Sequence, residues 1–153
     1  MIKNTKLKED LIQYCIDFIE KQINHVQTAI NSAKESAQNE SKSSAGDKHE
    51  TGKSLMQLEQ ENNTQHLHKM LNLKRVIPLL QSYENKNVIS IGSLVETTQG
   101  LYYLALGIGI VDISKQNVFV ISPTSPIGKL LQGKTSGDEV KFNGKSIQIK
   151  EIV

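Results

Sequence analysis

Tryptophan is absent, and aromatic residues make up only 5% of the chain. Apolar residues reach 37%, which is little for one compact core over 153 residues. A long helical hairpin joined to a small β-rich domain fits those figures, because a two-helix hairpin needs only a stripe of apolar side chains. There is a single cysteine, Cys15. It excludes an internal disulfide framework and fits a reducing compartment. No hydrophobic run approaches membrane length, and the opening MIKNTKLKED has no apolar signal core, so the expectation is a cytoplasmic protein without membrane contact. Charge of one sign is also missing. The net charge is +2 and no run of like charge reaches five residues, which argues against a sequence-independent DNA binder. Beyond a heptad pattern there is no internal repeat.

That heptad is the strongest positive signal. Ile12, Ile16, Ile19, Ile23, Val26, Ile30, Ala33 and Ala37 follow one another at gaps of alternately four and three residues, the seam of a coiled coil. The spacing predicts a first helix from about Thr5, its N-cap, to Glu40. At about 1.5 Å per residue such a helix is roughly 54 Å long. Residues 41–46 read as a turn. A second helix is predicted from Asp47 into the seventies, with sparser apolar residues: Leu55, Leu58, Leu67, Met70, Leu71, Leu73 and Ile77. Gln60 and Asn63 fall on any apolar stripe drawn through it. Pro78 should end or kink the helix, and 82–87 reads as a linker.

From Val88 onward the pattern changes. Val88–Val95 and Leu101–Val111 are β-rich around a turn at Thr97–Gly100, and Asn117–Ser122 is a short apolar strand. Ser125 followed by Pro126, with apolar residues at 127, 130 and 131, predicts one short helix. Glu139–Phe142 and Ser146–Ile152 flank Asn143-Gly144, a hairpin signal. The expected fold class is α+β. Residues 1–80 form an antiparallel coiled-coil hairpin with an acidic tip near 40–50, and residues 81–153 form a small antiparallel sheet with one short helix.

Several motifs are empty of chemistry. Gly128-Lys-Leu-Leu-Gln-Gly133-Lys134-Thr135 satisfies the phosphate-loop pattern literally. Its predicted helix lies inside the motif rather than after it, and 18 residues remain, so nucleotide binding is not expected. His25, His49, His66 and His68 do not pair at metal-ligand spacing. No nucleophile–base arrangement is evident. The tip segment is different. Asp47 and Glu50 have capping-box spacing for the second helix. They also place two carboxylates one turn apart at the end of a hairpin, with Glu40 as a third across the turn. Hard oxygen donors of this kind can hold Mg²⁺ through one or two carboxylates, the remaining ligands coming from another body.

Together these residues resemble the Gre family of bacterial transcript cleavage factors. Gly46-Asp47-Lys48-His49-Glu50 matches the family's tip motif Gly-Asp-x-x-Glu. Ile121-Ser122-Pro123-Thr124-Ser125-Pro126-Ile127, then Gly133-Lys134, Gly137-Asp138 and the final paired strands, match its C-terminal pattern in order. The resemblance implies an FKBP-like C-terminal domain. It implies that this domain docks on RNA polymerase through Ser125 and Pro126, while the hairpin enters the polymerase secondary channel. It further implies that Asp47 and Glu50 help hold a Mg²⁺ shared with the polymerase active site, where backtracked RNA is hydrolysed. The chain would then not itself be an enzyme. Its partner would be RNA polymerase, with indirect contact to nascent RNA and no independent sequence-specific DNA binding. Three positions depart from the family: Thr51, Lys53 and Thr124 stand where Asn, an aromatic and an acidic residue are usual. They leave open a secondary-channel modulator or inhibitor that does not promote cleavage. An FKBP-type prolyl isomerase using Tyr102, Tyr103, Phe119 and Phe142, and a plain coiled-coil adaptor, are the other readings.

Overall fold

The computed structural model describes the backbone of residues 2–41 and 48–153, and all of their side chains except those of residues 2, 3, 37, 40, 41, 48–51 and 53. The fold is α+β: a long N-terminal helix α1 (Ile2–Ser41), a further helix α2 (Lys48–Lys74), a short α3 (Ile77–Gln81), and a six-stranded mixed sheet with one more short helix. The chain groups into two compact units, Met1–Ile16 with Arg75–Val153, and Asp17–Lys74. Among the described residues no helix is long and apolar enough to cross a membrane.

In the first unit the strands are β1 (Leu94–Thr97), β2 (Gly100–Leu104), β3 (Gly109–Ile113), β4 (Gln116–Ile121), β5 (Glu139–Phe142) and β6 (Lys145–Ile152), and α4 (Pro126–Leu131) follows β4. Their order across the sheet is β3-β4-β2-β1-β6-β5. The expected all-antiparallel sheet is corrected at one place: β4 runs parallel to β2. The cause is the β2–β3 connection. Residues 105–108 step across two inter-strand spacings, about 10 Å, and leave a slot that β4 fills. Ala105 N donates to Ile121 O at 2.8 Å and Ile108 N to Val120 O at 3.2 Å, which ties the step to β4. The single long run expected at 101–111 is therefore two strands. The run at 88–95 is likewise shorter: Val88 makes an isolated bridge to Thr135 and the strand begins at Leu94.

Cross-strand register sorts the side chains. Val95 faces Tyr102, and Tyr102 is level with Phe119. These point to the face where Leu104, Ile127, Leu131, Val140, Ile147, Ile149 and Ile152 form the main core. Leu94 and Tyr103 face each other on the opposite side, also fully buried. Both faces of the central strands are therefore covered, and burial at about 25 cal/mol per Å² makes this the main source of stability.

The first turns of α1 belong to this unit, and they revise the expected seam. The buried residues are Leu7, Leu11 and Cys15, at steps of four, whereas Ile12 and Ile16 are only half-buried. Cys15 lies close enough to Tyr103 for its charge to act on the phenol. A helix segment packed against sheet side chains follows the i, i+4 ridge rather than a 3.5-residue repeat. The helix also starts at Ile2, so Thr5 is inside it and is not its cap.

In the second unit the heptad holds. Ile19, Ile23 and Val26 are buried, and Ile30 and Ala33 are half-buried. α1 and α2 run antiparallel here: Gln22 Oε1 meets His66 Nε2 at 3.5 Å, and Ala29, Ser32, Ala33 and Ser36 share a groove of about 410 Å³ with Met56 and Glu59. The apolar stripe expected on α2 holds in part: Met70 is buried and Leu67 and Leu73 are half-buried, whereas Leu71 is exposed. Leu55 and Leu58 are 63% and 54% exposed. Around them Met56, Gln60 and Asn63 are half-buried, and the Asn63 Nδ2 is buried without a hydrogen-bond partner.

Candidate functional site

The loop between β4 and α4 is built from its own hydroxyl groups. Ser125 has extended backbone and caps α4: its Oγ accepts from Gly128 N at 3.1 Å and donates to Ser122 O at 2.7 Å. Ser125 N donates to Ser122 Oγ at 3.1 Å, and Ser122 Oγ and Thr124 Oγ1 are 3.1 Å apart. Pro126 occupies the first helical turn, where a missing N–H costs nothing. Gly128 lies against the Ser122 carbonyl, where a Cβ would collide with it. The Ile-Ser-x-x-Ser-Pro-Ile-Gly spacing thus has a structural reason at Ser122, Ser125, Pro126 and Gly128. What the loop offers outward is Thr124, Pro126 and Lys129, which are exposed, and Leu130, 38% exposed. Ser125 is half-buried with its hydroxyl already engaged. It fixes the loop, and Pro126 is the member of the pair that a partner can reach.

The neighbouring turn behaves similarly. Asp138 Oδ2 accepts from Thr135 N at 2.8 Å and Thr135 Oγ1 at 3.1 Å. These bonds, the backbone one first, hold its carboxyl below the ordinary range. The chain after Thr135 enters this turn and then β5, and α4 starts before the phosphate-loop pattern and ends within it. No helix N-terminus follows Thr135 to receive a phosphate.

Asp47 lies outside the described residues. Glu40 is in the last turn of α1 and Glu50 in the first turn of α2, but neither side chain is among those described. Among the described residues no three His, Cys, Asp or Glu side chains gather as a metal site. Glu40 and Glu50 thus lie on the two helix ends that flank residues 42–47, and carboxylates are hard oxygen donors.

Of the four aromatic residues of the isomerase reading, three share one core and the fourth lies on the other face of the sheet. Tyr102 stacks on Phe119, with centroids 5.0 Å apart and planes at 22°, and Phe142 packs on the same core. Tyr103 is on the other face, buried, and its hydroxyl has no partner.

A further cluster had no sequence signal because its members are distant in the chain, with only Tyr83 and Asn85 in the polar stretch read as a linker. Lys8 Nζ sits 3.4 Å from the centre of the Tyr83 ring and donates to the main-chain oxygen of Val153 at 3.0 Å. Ser93 Oγ donates to Tyr83 Oη at 2.9 Å, and Asn85 Nδ2 to Ile152 O at 2.8 Å. Gly92, at φ +95°, lets Tyr83 lie against the main chain, since a Cβ there would come within 2.9 Å of it. A surface cavity of about 610 Å³ opens beside this cluster, lined by Thr5, Lys6, Glu9, Asn85, Glu151, Ile152 and Val153. Compared with family models, with curated proteins and with solved structures, the chain matches none of them.

Proposed function

We propose that this chain is a Gre-type regulator that binds the secondary channel of bacterial RNA polymerase, with an antiparallel coiled-coil hairpin and an FKBP-like sheet domain. Pro126, Thr124 and Leu130 form the docking edge of the sheet domain, and Ser125 holds that edge in shape. The helix pair presents Asp47 and Glu50, with Glu40 beside them in sequence, to the polymerase active site. Their carboxylates add hard oxygen donors and negative charge there. Mg²⁺, when bound between the two proteins, supplies Lewis-acid chemistry at the RNA phosphate. Hydrolysis of backtracked RNA belongs to the polymerase, so the chain is not an enzyme by itself. It touches nascent RNA only indirectly.

One observation carries the reading. A helix pair with Gly46-Asp47-x-x-Glu50 between the end of its first helix and the first turn of its second shares a chain with a sheet unit in which Ser125 and an exposed Pro126 open a helical turn after a core strand. The experiment uses purified polymerase and stalled, backtracked elongation complexes. The wild-type chain co-purifies with polymerase and shortens the RNA from its 3′ end. Asp47→Ala/Glu50→Ala binds equally and does not. Failure of the wild-type chain to bind polymerase overturns the proposal. Thr51, Lys53 and Thr124 favour a second reading, a channel-binding modulator or inhibitor. Wild-type binding without any cleavage would select it.

A further inference from the structure

The outer edge of β3 carries an inference independent of the polymerase reading. β3 is the last strand of the sheet and is bonded to β4 on one side only. Ser114 and Lys115, both at positive φ, close a two-residue turn between Ile113 and Gln116. The pair that closes such a turn exchanges main-chain hydrogen bonds, and bonded pairs alternate along the ladder from there. Ile113, Val111 and Gly109 therefore bond to β4, while the N–H and C=O groups of Ile110 and Asp112 point away from it. Among the described residues no main-chain bond outside the β4 ladder reaches them.

Natural sheets blunt a free edge with charges or proline. The opposite edge is blunted in this way, since Glu139 and Lys141 alternate along β5 as exposed charges. β3 instead presents Ile110, 65% exposed, and a single exposed charge, Asp112. Ile110 is level with Phe119, and Phe119 with Tyr102. The apolar row of the main core thus runs out to the free edge and stops there.

We propose that the β3 edge binds an extended segment of another protein by antiparallel strand addition, and that this segment carries Lys or Arg two residues before an aliphatic residue. The main-chain groups of Ile110 and Asp112 supply the ladder. Residues directly opposite in a ladder share a face. The cationic side chain therefore stands against the Asp112 carboxylate, and the aliphatic one extends the row from Ile110 and Phe119. A second copy of this chain fits poorly. Antiparallel pairing of two β3 strands sets Asp112 against Ile108, Ile110 or Asp112 of the copy. That either desolvates a carboxylate on an aliphatic side chain or places two carboxylates together.

The test uses the full chain and a labelled peptide, Ser-Thr-Lys-Val-Ile-Thr-Ser, with a twin that has Glu in place of Lys. Fluorescence anisotropy gives the affinity, and amide hydrogen exchange gives the location. The Lys peptide binds about fivefold more tightly than its twin, the effect of exchanging one opposite-charge cross-strand pair for a like-charge pair. It also slows exchange at Ile110 and Asp112. Asp112→Lys reverses the order of the two peptides. Ile110→Pro removes an outward N–H while sparing the β4 ladder, and weakens both. Absence of binding, equal affinity for the twins, an order that Asp112→Lys fails to reverse, or protection confined to another part of the chain overturns the proposal. So does a chain that is dimeric before peptide is added, with Ile110 and Asp112 already protected, because the edge then belongs to a second copy.

Discussion

Ser122, Ser125 and Gly128 show how a short motif can be required by packing alone. All four hydroxyl and amide bonds described in the loop involve Ser122 or Ser125, and a Cβ at Gly128 would collide with the Ser122 carbonyl. Two substitutions separate the contributions. Ser125→Ala removes the cap and should cost about 1 kcal/mol. Gly128→Ala forces a methyl group into the carbonyl and should cost about 1–3 kcal/mol, the range for overpacking. Both are read as a lower urea midpoint at unchanged slope. A Gly128→Ala variant as stable as wild type would show that the loop can shift, and that the glycine is not demanded by close approach.

At the scale of elements, α1 obeys two packing rules along one helix. Leu11 and Cys15 are fully buried in the sheet unit while Ile12 and Ile16 are half-exposed; the heptad positions take over from Ile19. Leu11→Ala should therefore cost about 2–5 kcal/mol, and Ile12→Ala about 1 kcal/mol, measured by urea unfolding. The reverse order would restore the uniform seam. On α2 the inward Asn63 amide nitrogen is unpartnered. Asn63→Leu should raise stability by about 1 kcal/mol, since it removes the desolvation of an unsatisfied donor. A thermal melt that falls instead would mean that the amide is satisfied in solution. These cases explain what the sequence could and could not disclose. Asn143-Gly144 announced its hairpin, because both residues adopt positive φ, 51° and 76°, and their types suit it. Ser114 and Lys115 adopt the same left-handed region at 54° and 63° and close β3 onto β4 without either residue type signalling it. The parallel β2–β4 pair was hidden for the same reason: register and strand order are long-range, and periodicity is local. α4 and its Ser125 cap were legible, because capping chemistry is local. Tyr83 and Lys8 were not, because their partners are distant in sequence.

At the scale of the molecule, the sheet unit combines groups whose protons move in opposite senses with pH. Lys8 has its amine lowered from 10.5 to about 8 by burial. Between those values the unfolded chain holds a proton that the native chain has released, so stability rises with pH across that window. Cys15 is the opposite case. Burial raises its thiol from 9.0 to about 12, so above pH 9 the unfolded chain releases a proton that the native chain keeps, and stability falls. Tyr103 is raised as well, first by burial and then by the nearby Cys15 and Tyr83 charges, and Tyr102 by burial. They add to the fall above pH 10. From pH 8 to 9 Lys8 acts without opposition from these groups, so the urea midpoint should climb, crest near pH 9 and then decline. Lys8→Met, which keeps an unbranched apolar chain over Tyr83, should abolish the climb and leave the decline. Cys15→Ala should lower stability throughout by opening a cavity, yet carry the crest toward pH 10, where the tyrosines begin to lose their protons in the unfolded chain. A wild-type midpoint that declines steadily from pH 8, with Lys8→Met following the same curve, would show that the Lys8 amine stays protonated in the folded chain through that range. In that event the contact with the Tyr83 ring outweighs the cost of burial.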